Sequence, residues 1–325
     1  DVKVRLTNTN ENFDYKYTEL FPTINIGFER TEDQSFTVGY SRRLRRPRFW
    51  YLNPFESRSS QNVIYKGNPG LTPTFTNSFD LGYLQKIGKL TLNSSIYFQH
   101  SINSILRVSR DEIRLLDGVN QVITIREPIN LASEDRFGFE LTANYNPSKK
   151  VRLSGSFNVF QQESKGLYAY NKFIIDEVTG AISATPETQD LGNTNNSWFT
   201  RFNATFSLPW KIQMQNRLSY RGPRNTAQSD SEGIFSANIA LSKDVFKEKG
   251  SLVLNVSDVF NSRKRKSTNY NPSIENPTSI SYQESQWRVR QVSLNFTYRF
   301  NQKKKQQRDR RGGEDFEGGE DFGTP

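Results

Sequence analysis

Arginine and aromatic side chains are concentrated in one stretch near the start of the chain. Five arginines, Arg42, Arg43, Arg45, Arg46 and Arg48, are followed directly by Trp50 and Tyr51. The planar guanidinium group matches carboxylate and phosphate oxygens, so the arginines could attract an anionic ligand. The two aromatic rings could stack on a sugar or an aromatic ligand. The same residue types also fit a structural role, in which the arginines pair with acids and the rings pack a loop.

Residues that commonly carry catalysis or bind metals are scarce. The chain has no Cys and a single His, His100, which we interpret as a partly exposed residue near a strand end. Without Cys there is no thiol catalysis, disulfide or thiolate metal site. The acidic pairs Asp111-Glu112 and Glu134-Asp135 lie at predicted loop edges, where we expect them to be solvated. We therefore predict no enzymatic activity, no cofactor and no metal site.

The chain is basic, with a formal net charge of +10 and a pI near 9.6. A high pI is a common mark of nucleic-acid binding. Here, however, the positive residues lie mainly in predicted loops and in the C-terminal tail, and not along one helix face. We predict that this charge is solvated or faces anionic headgroups or ligands, and that nucleic acid is not a partner.

A two-residue alternation of apolar and polar side chains recurs along most of the sequence. It is clearest near the end, where Val292, Leu294, Phe296, Tyr298 and Phe300 alternate with polar residues. Such alternation predicts a strand with one apolar and one polar face. We predict eleven strands, whose apolar faces are centred on residues 24–28, 36–40, 79–83, 90–98, 137–145, 151–159, 202–208, 212–220, 235–241, 252–256 and 292–300.

The connections between these strands alternate strictly between short and long. Membrane barrels of the outer-membrane type have short periplasmic turns and long extracellular loops, and their strands need only every second residue to be apolar. A composition with 34% hydrophobic and 13% aromatic residues fits this class. We therefore predict an all-β fold, a transmembrane antiparallel up-and-down β-barrel in the bacterial outer membrane, in contact with lipid and lipopolysaccharide.

Strand parity predicts that the barrel is incomplete in this chain. The last strand must end on the periplasmic side, and counting back places residues 1–16 on the outer side, with Val2, Val4 and Leu6 at the top of a preceding strand. A complete barrel has an even strand number, and eleven and a fraction strands do not close one. We expect residues 1–300 to be the C-terminal portion of a barrel of about 22 strands, the size of plugged transporters.

Residues 301–325 differ from the rest of the chain. They are rich in Lys, Arg and Gly and contain an imperfect repeat around Phe316 and Phe322. They have almost nothing to bury, so we predict a disordered, charged, Gly-rich periplasmic tail. A short docking motif anchored by the two Phe residues is the alternative.

Three motifs resemble those of a known family. The text of residues 40–55 and 67–73, including Asn53-Pro54-Phe55 and Gly67-Asn68-Pro69, resembles TonB-dependent-receptor-like outer-membrane barrels of the Bacteroidetes type, although Thr74 stands where the family usually has an acid. Residues 254–261 are similar to the penultimate strand of TonB-dependent receptors. Tyr298 and Phe300 resemble the aromatic end of the last strand that the assembly machinery reads.

The resemblance implies a receptor that imports a bulky nutrient, such as an iron chelate, glycan or peptide, through a barrel with an upstream plug that TonB contacts. A surface lipoprotein could cover its outer loops. Two other functions remain open from the sequence. One is a non-transporting barrel that serves as a scaffold or as a secretion or assembly accessory, and the other is a soluble all-β carbohydrate-binding protein.

Overall fold

The computed structural model describes residues 18–58, 62–116, 118–131, 133–176, 179–275 and 277–300, and the backbone alone of residues 2–6 and 11–15. It contains 23 strands, one α-helix and one 3-10 helix. The strands are β1 Val2–Leu6, β2 Glu11–Tyr15, β3 Thr23–Thr31, β4 Gln34–Arg45, β5 Ser57–Arg58, β6 Val63–Tyr65, β7 Thr74–Ile87, β8 Leu90–Ile102, β9 Ile105–Leu116, β10 Val119–Asn130, β11 Ser133–Ser148, β12 Val151–Lys165, β13 Leu167–Ile175, β14 Ile182–Asp190, β15 Asn193–Leu208, β16 Ile212–Arg221, β17 Arg224–Thr226, β18 Ser229–Ser231, β19 Ile234–Val245, β20 Gly250–Ser257, β21 Arg265–Asn271, β22 Ser279–Ser285 and β23 Gln291–Tyr298. The α-helix, α1, is Phe49–Leu52, and the 3-10 helix is Pro209–Lys211.

Eleven strands form one antiparallel sheet, which we call the wall. Its order is β3, β4, β7, β8, β11, β12, β15, β16, β19, β20 and β23, so each wall strand pairs with the next wall strand along the chain. All eleven strands predicted from the two-residue alternation are confirmed. In the described residues β3 and β23 are the two edges, and the sheet does not close on itself.

One face of the wall is apolar and has no protein covering it. Cross-strand register places Val38 opposite Leu81, and Leu81 opposite Ile96, on this face. These side chains are 53%, 53% and 47% exposed, far more than a packed core would leave them. The apolar side of the strands is therefore presented outward, as the barrel prediction requires, and no second sheet buries it in the described part of the chain.

Aromatic pairs on the apolar face lie near both ends of the wall strands. Near the short turns, the ring centroids of Phe36 and Tyr83 are 4.9 Å apart. Near the long connections, the rings of Trp198 and Tyr220 are 4.5 Å apart. Aromatic side chains at two levels, with aliphatic residues between them, are typical of strands that cross a bilayer between two interfaces.

The opposite face is polar, and glycine lets large side chains lie flat against it. Tyr97 lies over Gly138, where an added Cβ would overlap the tyrosine ring. The Tyr97 hydroxyl donates to Asn158 Oδ1 at 3.3 Å, and the Asn158 amide in turn donates to Glu140. Polar side chains on this face therefore satisfy one another across neighbouring strands.

The five short connections are tight turns, as the sequence predicts. β7 and β8 are joined by two residues, and Gly88 has a φ of +57°, a conformation that glycine adopts without steric cost. The turn after β19 holds Phe246, Lys247 and Glu248 at positive φ.

In the described residues, the five long connections contain strands of their own. Together they span residues 46–73, 103–132, 166–192, 222–233 and 258–290, which we call the crown. The crown contains the sheet β5-β6-β10-β9, the hairpin β13-β14 and the sheet β17-β18-β21-β22. The sequence analysis did not predict these strands.

The crown also holds most of the buried apolar residues. One cluster contains Val108, Leu131, Tyr168 and Leu191, and a second contains Ile64, Ile123 and Ile125. The Val108 cluster joins the second long connection to the third. The Ile64 cluster joins the first long connection to the second. Because the wall has its apolar face outward, the hydrophobic core of this protein lies at its outer end.

The start of the chain differs from the prediction. Val2–Leu6 pairs with Glu11–Tyr15 in a separate two-stranded sheet and does not extend the wall. The prediction for residues 301–325 lies outside the described residues. No helix in the described part of the chain has the length and apolar character needed to cross a membrane.

The two faces of the wall make opposite predictions for a new charge. We expect Ile96→Arg to lower the free energy of unfolding by about 2–4 kcal/mol in a bilayer, because it puts a charge on the lipid side. Asn93→Arg, on the polar face of the same strand, should change it little. The measurement is denaturant unfolding in lipid vesicles. Equal losses for both variants would contradict the assignment of the faces.

Candidate ligand-binding surface

The arginine stretch is divided between the two faces of the wall. Arg42, on the apolar face of β4, pairs with Glu19 at 2.9 Å and lies over the Phe75 ring with its guanidinium carbon 5.6 Å from the centroid. Period two places Arg43 and Arg45 on the polar face, where both are exposed. The structure therefore separates Arg42 from Arg43 and Arg45.

The remaining predicted residues lie where β4 ends and α1 begins. The Arg48 guanidinium lies over the Trp50 ring at 5.2 Å, and the Trp50 and Tyr51 rings meet edge to face at 6.1 Å. Arg46 and Trp50 are exposed, whereas Arg48 and Tyr51 are half-buried. The role of these residues in ligand binding stays a prediction.

The Gly-Asn-Pro motif is held against the Asn53-Pro54-Phe55 motif by backbone contacts. Gly67 N–H donates to the Asn53 carbonyl at 2.8 Å, and Asn68 N–H donates to the Tyr51 carbonyl at 2.6 Å. A Cβ on Gly67 would overlap both of these carbonyl oxygens. The two halves of the motif therefore form one structural unit that requires glycine.

The end of this motif anchors the first long connection to the second. Thr72 N–H donates to Asn130 Oδ1 at 2.9 Å, and Asn130 Nδ2 donates back to the Thr72 carbonyl at 3.0 Å. Leu71 is 2% exposed. These contacts explain the motif by packing, with no ligand required.

The motif at residues 254–261 shapes the exit from β20. Asp258 is buried, and its carboxylate accepts from the backbone N–H groups of Ser262 and Arg263, each at 3.0 Å. Asn261 Oδ1 accepts from Gln286 Nε2 at 2.7 Å and from Arg290 N–H at 3.0 Å. Asp258 therefore fixes the start of the last long connection, and Asn261 ties that start to its end.

A network of ions and tyrosines joins three long connections of the crown. Arg114 pairs with Glu56 through two bonds of 2.9 and 2.7 Å, and with Glu112 at 2.8 Å. Arg110 continues the chain from Glu112, at 3.0 Å, to Glu127, at 3.3 Å. Glu56 lies 58 residues before Arg114, so sequence spacing could not reveal this contact.

Two stacked tyrosines extend this network on β13. The Tyr168 and Tyr170 rings are nearly parallel, with centroids 5.5 Å apart. Tyr168 donates to Glu127 at 2.6 Å, and Tyr170 donates to Glu187 at 3.0 Å. An open cavity of about 400 Å³ lies beside them, lined also by Arg110, Glu112 and Phe173.

The environment of the crown shifts several pKa values. Burial, and then hydrogen bonding to Glu127, raises the pKa of the Tyr168 hydroxyl, and the same causes with Glu187 raise that of Tyr170 to about 12. Burial opposes ionisation of Glu112, but hydrogen bonds from Arg114 and Arg110 outweigh it and lower its pKa. The network therefore keeps Glu112 charged and its two tyrosines neutral, which suits structure and polar recognition.

The acidic pairs are partnered, and our expectation that they are solvated is wrong. Glu112 lies in the network, and Asp111 accepts from Thr124 and Thr278, each at 3.0 Å. Asp135 lies 2.6 Å from Nδ1 of His100, which is partly exposed as predicted. Among the described residues, no group of three or more His, Cys, Asp or Glu is arranged to hold a metal ion.

The aromatic end of the last strand lies at the short-turn end of the wall. Tyr298 is the last residue of β23 and pairs with Gly250. The rings of Tyr298 and Phe300 meet edge to face at 4.8 Å, and Phe300 is 80% exposed. Recognition of these two residues by assembly machinery stays a prediction.

Alkaline pH should weaken the crown. The pKa of Tyr170 is raised from 10.0 to about 12, so the unfolded chain loses this proton first. The stability that Tyr170 contributes is therefore complete below pH 10 and is lost as the pH rises toward 12. Protease resistance of the crown, followed from pH 9 to 12, should fall less steeply in Tyr170→Phe. An identical pH profile for both proteins would contradict this assignment.

Gly67→Ala should destabilise the crown by about 1–3 kcal/mol, because its Cβ has no room between two carbonyl oxygens. Gly27→Ala is the matched control, since nothing lies within 4 Å of a Cβ at that position. Thermal unfolding in detergent would measure both. Equal melting temperatures for the two variants would contradict the tight contact at Gly67.

Comparison with known proteins identifies a family and a set of similar folds. The outer membrane protein beta-barrel family matches residues 1–298, whereas the curated proteins yield no match. Among solved structures, the FrpB iron transporter from Neisseria meningitidis is 16% identical with a TM-score of 0.47, and the match covers 87% of this chain and 38% of that one. A ferric enterobactin receptor from Pseudomonas aeruginosa is 15% identical with a TM-score of 0.46, covering 74% and 35%. The siderophore receptor PirA from Acinetobacter baumannii is 12% identical with a TM-score of 0.46, covering 74% and 37%.

The chain thus spans little more than a third of the length of these solved structures. The family match covers nearly the whole chain and agrees with the two-faced wall, so the soluble alternative is set aside. The protein lies in the outer membrane, and it belongs to the outer membrane protein beta-barrel family.

Proposed function

We propose that this chain forms part of a TonB-dependent outer-membrane receptor that imports a bulky nutrient. One observation carries the proposal: all five long connections fold into a single ordered crown at one end of the wall, whereas the other end has only tight turns. A barrel that serves only as a scaffold has no need for such an asymmetric, buried and charge-paired outer layer.

The polar face of the wall supports a path for solute. Hydrogen-bonded polar side chains, such as Tyr97, Asn158 and Glu140, lie on this face. In the proposal, the ligand is an iron chelate, a glycan or a peptide, captured at the crown. A plug and the segment that TonB contacts would lie elsewhere in the complete receptor.

Two further partners belong to this proposal. A surface lipoprotein could cover the crown, where the tip of the β9-β10 hairpin exposes Leu115, Val119 and Val122 to 66%, 61% and 54%. The assembly machinery of the outer membrane would read Tyr298 and Phe300 at the end of the last strand. Both ideas rest on exposure and on the resemblance of the motifs.

Energy-dependent accumulation of ligand is the test. Cells that produce the complete receptor should accumulate at least one labelled iron chelate, glycan or peptide, and cells without it should not. An uncoupler of the proton gradient should stop accumulation while leaving surface binding intact. Accumulation that survives the uncoupler would indicate a passive pore. A failure to accumulate any of the three classes would favour the scaffold or accessory function.

A further inference from the structure

A second set of arginines, separate from the stretch at residues 42–48, converges where the crown meets the polar face of the wall. It comprises Arg107, Arg126, Arg136, Arg224 and Arg265, contributed by five different strands of the wall and the crown. We call it the arginine cluster. Its members are 158 residues apart at the extremes, so no local motif marks them.

Register fixes two of these arginines on one face of the crown sheet β17-β18-β21-β22. Arg224 pairs with Ser231, and Ser231 pairs with Ser267. Arg265 lies two residues before Ser267 on the same strand, so its side chain leaves the sheet on the same side as Arg224. Both side chains are half-buried.

Two more arginines share a face of the neighbouring sheet. Arg126 pairs with Ser109, and Arg107 lies two residues before Ser109 on β9. Ser109 is held to the other sheet by Gln228, whose side chain accepts from Ser109 N–H at 2.8 Å and donates to the Ser109 carbonyl at 3.0 Å. These two hydrogen bonds between Gln228 and Ser109 bring the two arginine-bearing faces together.

The wall contributes the fifth member. Arg136 donates to Gln162 at 2.5 Å, and Gln162 pairs across the sheet with Asn195. Asn195 Oδ1 accepts from the N–H of Asn225, the residue next to Arg224, at 2.9 Å. Arg136 is therefore connected to the crown arginines by a short series of side-chain and backbone contacts.

The cluster is short of negative charge. In the part of the chain that the structure describes, Arg126, Arg224 and Arg265 form no ion pair with a carboxylate, and Arg136 has only Glu134, at 3.8 Å. Nε of Arg126 and Nε of Arg136 are buried without a hydrogen-bond partner. Burial, and then Arg126 and Arg265, lower the pKa of Arg107. Burial also lowers the pKa of Arg224; Glu134 opposes this shift, whereas Arg136, Arg265 and Arg221 add to it. Like charges are thus held together at a cost that a bound anion would relieve.

We propose that the arginine cluster is a binding site for an anionic ligand that carries several carboxylate or phosphate oxygens. Guanidinium groups stay charged at any physiological pH and bind such oxygens in pairs. The crown network described above cannot play this part, because Glu56, Glu112 and Glu127 already neutralise its arginines. The inference deepens the proposed function, on which it rests for its biological meaning, by naming the ligand class.

The test measures anion binding to the purified full chain in detergent, with citrate as the carboxylate probe and pyrophosphate as the phosphate probe. At least one probe should raise the melting temperature of the unmodified protein above that in sodium chloride of equal ionic strength. The probe with the larger effect identifies the source of the oxygens. No shift with either probe would overturn the proposal, whether or not any variant folds.

Variants locate the binding. The double variant Arg224→Gln, Arg265→Gln should weaken binding of the active probe by about tenfold or more, since it removes two charge-assisted contacts. Arg152→Gln is the matched control, an exposed arginine on the polar face of β12 near its short turn. Equal affinity in the double variant and the control would overturn the site. If anion binding follows this pattern but the receptor shows no energy-dependent uptake, the transport proposal fails and the anion site stands.

Discussion

The structure depends on one constraint, that hydrocarbon covers the apolar side of the wall. In that environment no water can satisfy a backbone N–H or carbonyl, so every strand between the edges must pair on both sides. The eleven-stranded antiparallel sheet meets this requirement through ladders between successive strands, with register shifts only beside the β3–β4 and β11–β12 turns. The same constraint explains why aliphatic residues such as Val38 and Leu81 remain exposed in the isolated chain, and why aromatic pairs lie near both ends of the strands.

A wall with its apolar side outward cannot provide a conventional core, and the crown supplies one instead. Ile123 and Ile125 are almost completely buried between the first two long connections, and Val108 and Leu191 between the second and third. The crown lies in water, so its apolar residues gain free energy by packing together. The Arg114–Glu56 ion pair crosses the first of these boundaries, and the Tyr168–Glu127 hydrogen bond crosses the second. The outer end of the protein is therefore folded by hydrophobic burial, while the wall is held by lipid and backbone hydrogen bonds.

The sequence predicts the wall well and the crown poorly, for physical reasons. Lipid on one side and water on the other impose a strict alternation, which residues 292–298 display without interruption. Crown strands are short and pair with distant partners, as when Val63 to Tyr65 lies parallel to Thr124 to Arg126. No period or spacing of residues in the sequence predicts such a contact. The arginine stretch was identified as a unit, but alternation along β4 sends Arg42 and Arg43 to opposite faces.

The motifs that reveal kinship prove to be architectural in this structure. Gly67 lies against the backbone of Tyr51 and Asn53, where any side chain would collide. The Asp258 carboxylate accepts a hydrogen bond from the backbone that follows β20. Family resemblance can therefore be strong at positions whose contacts are explained by packing and backbone hydrogen bonds. Residues that determine ligand specificity are more reasonably sought in the crown. There, charged side chains from different long connections lie close together without a shared sequence motif.

Gln228 has a consequence for motion. Its amide bonds to Ser109 on the second long connection and to the Pro272 carbonyl on the fifth, and Gln189 from the third reaches that same carbonyl at 2.6 Å. Four of the five long connections are thereby fastened at one point. A displacement of any one of these four connections is therefore coupled through this point to the other three.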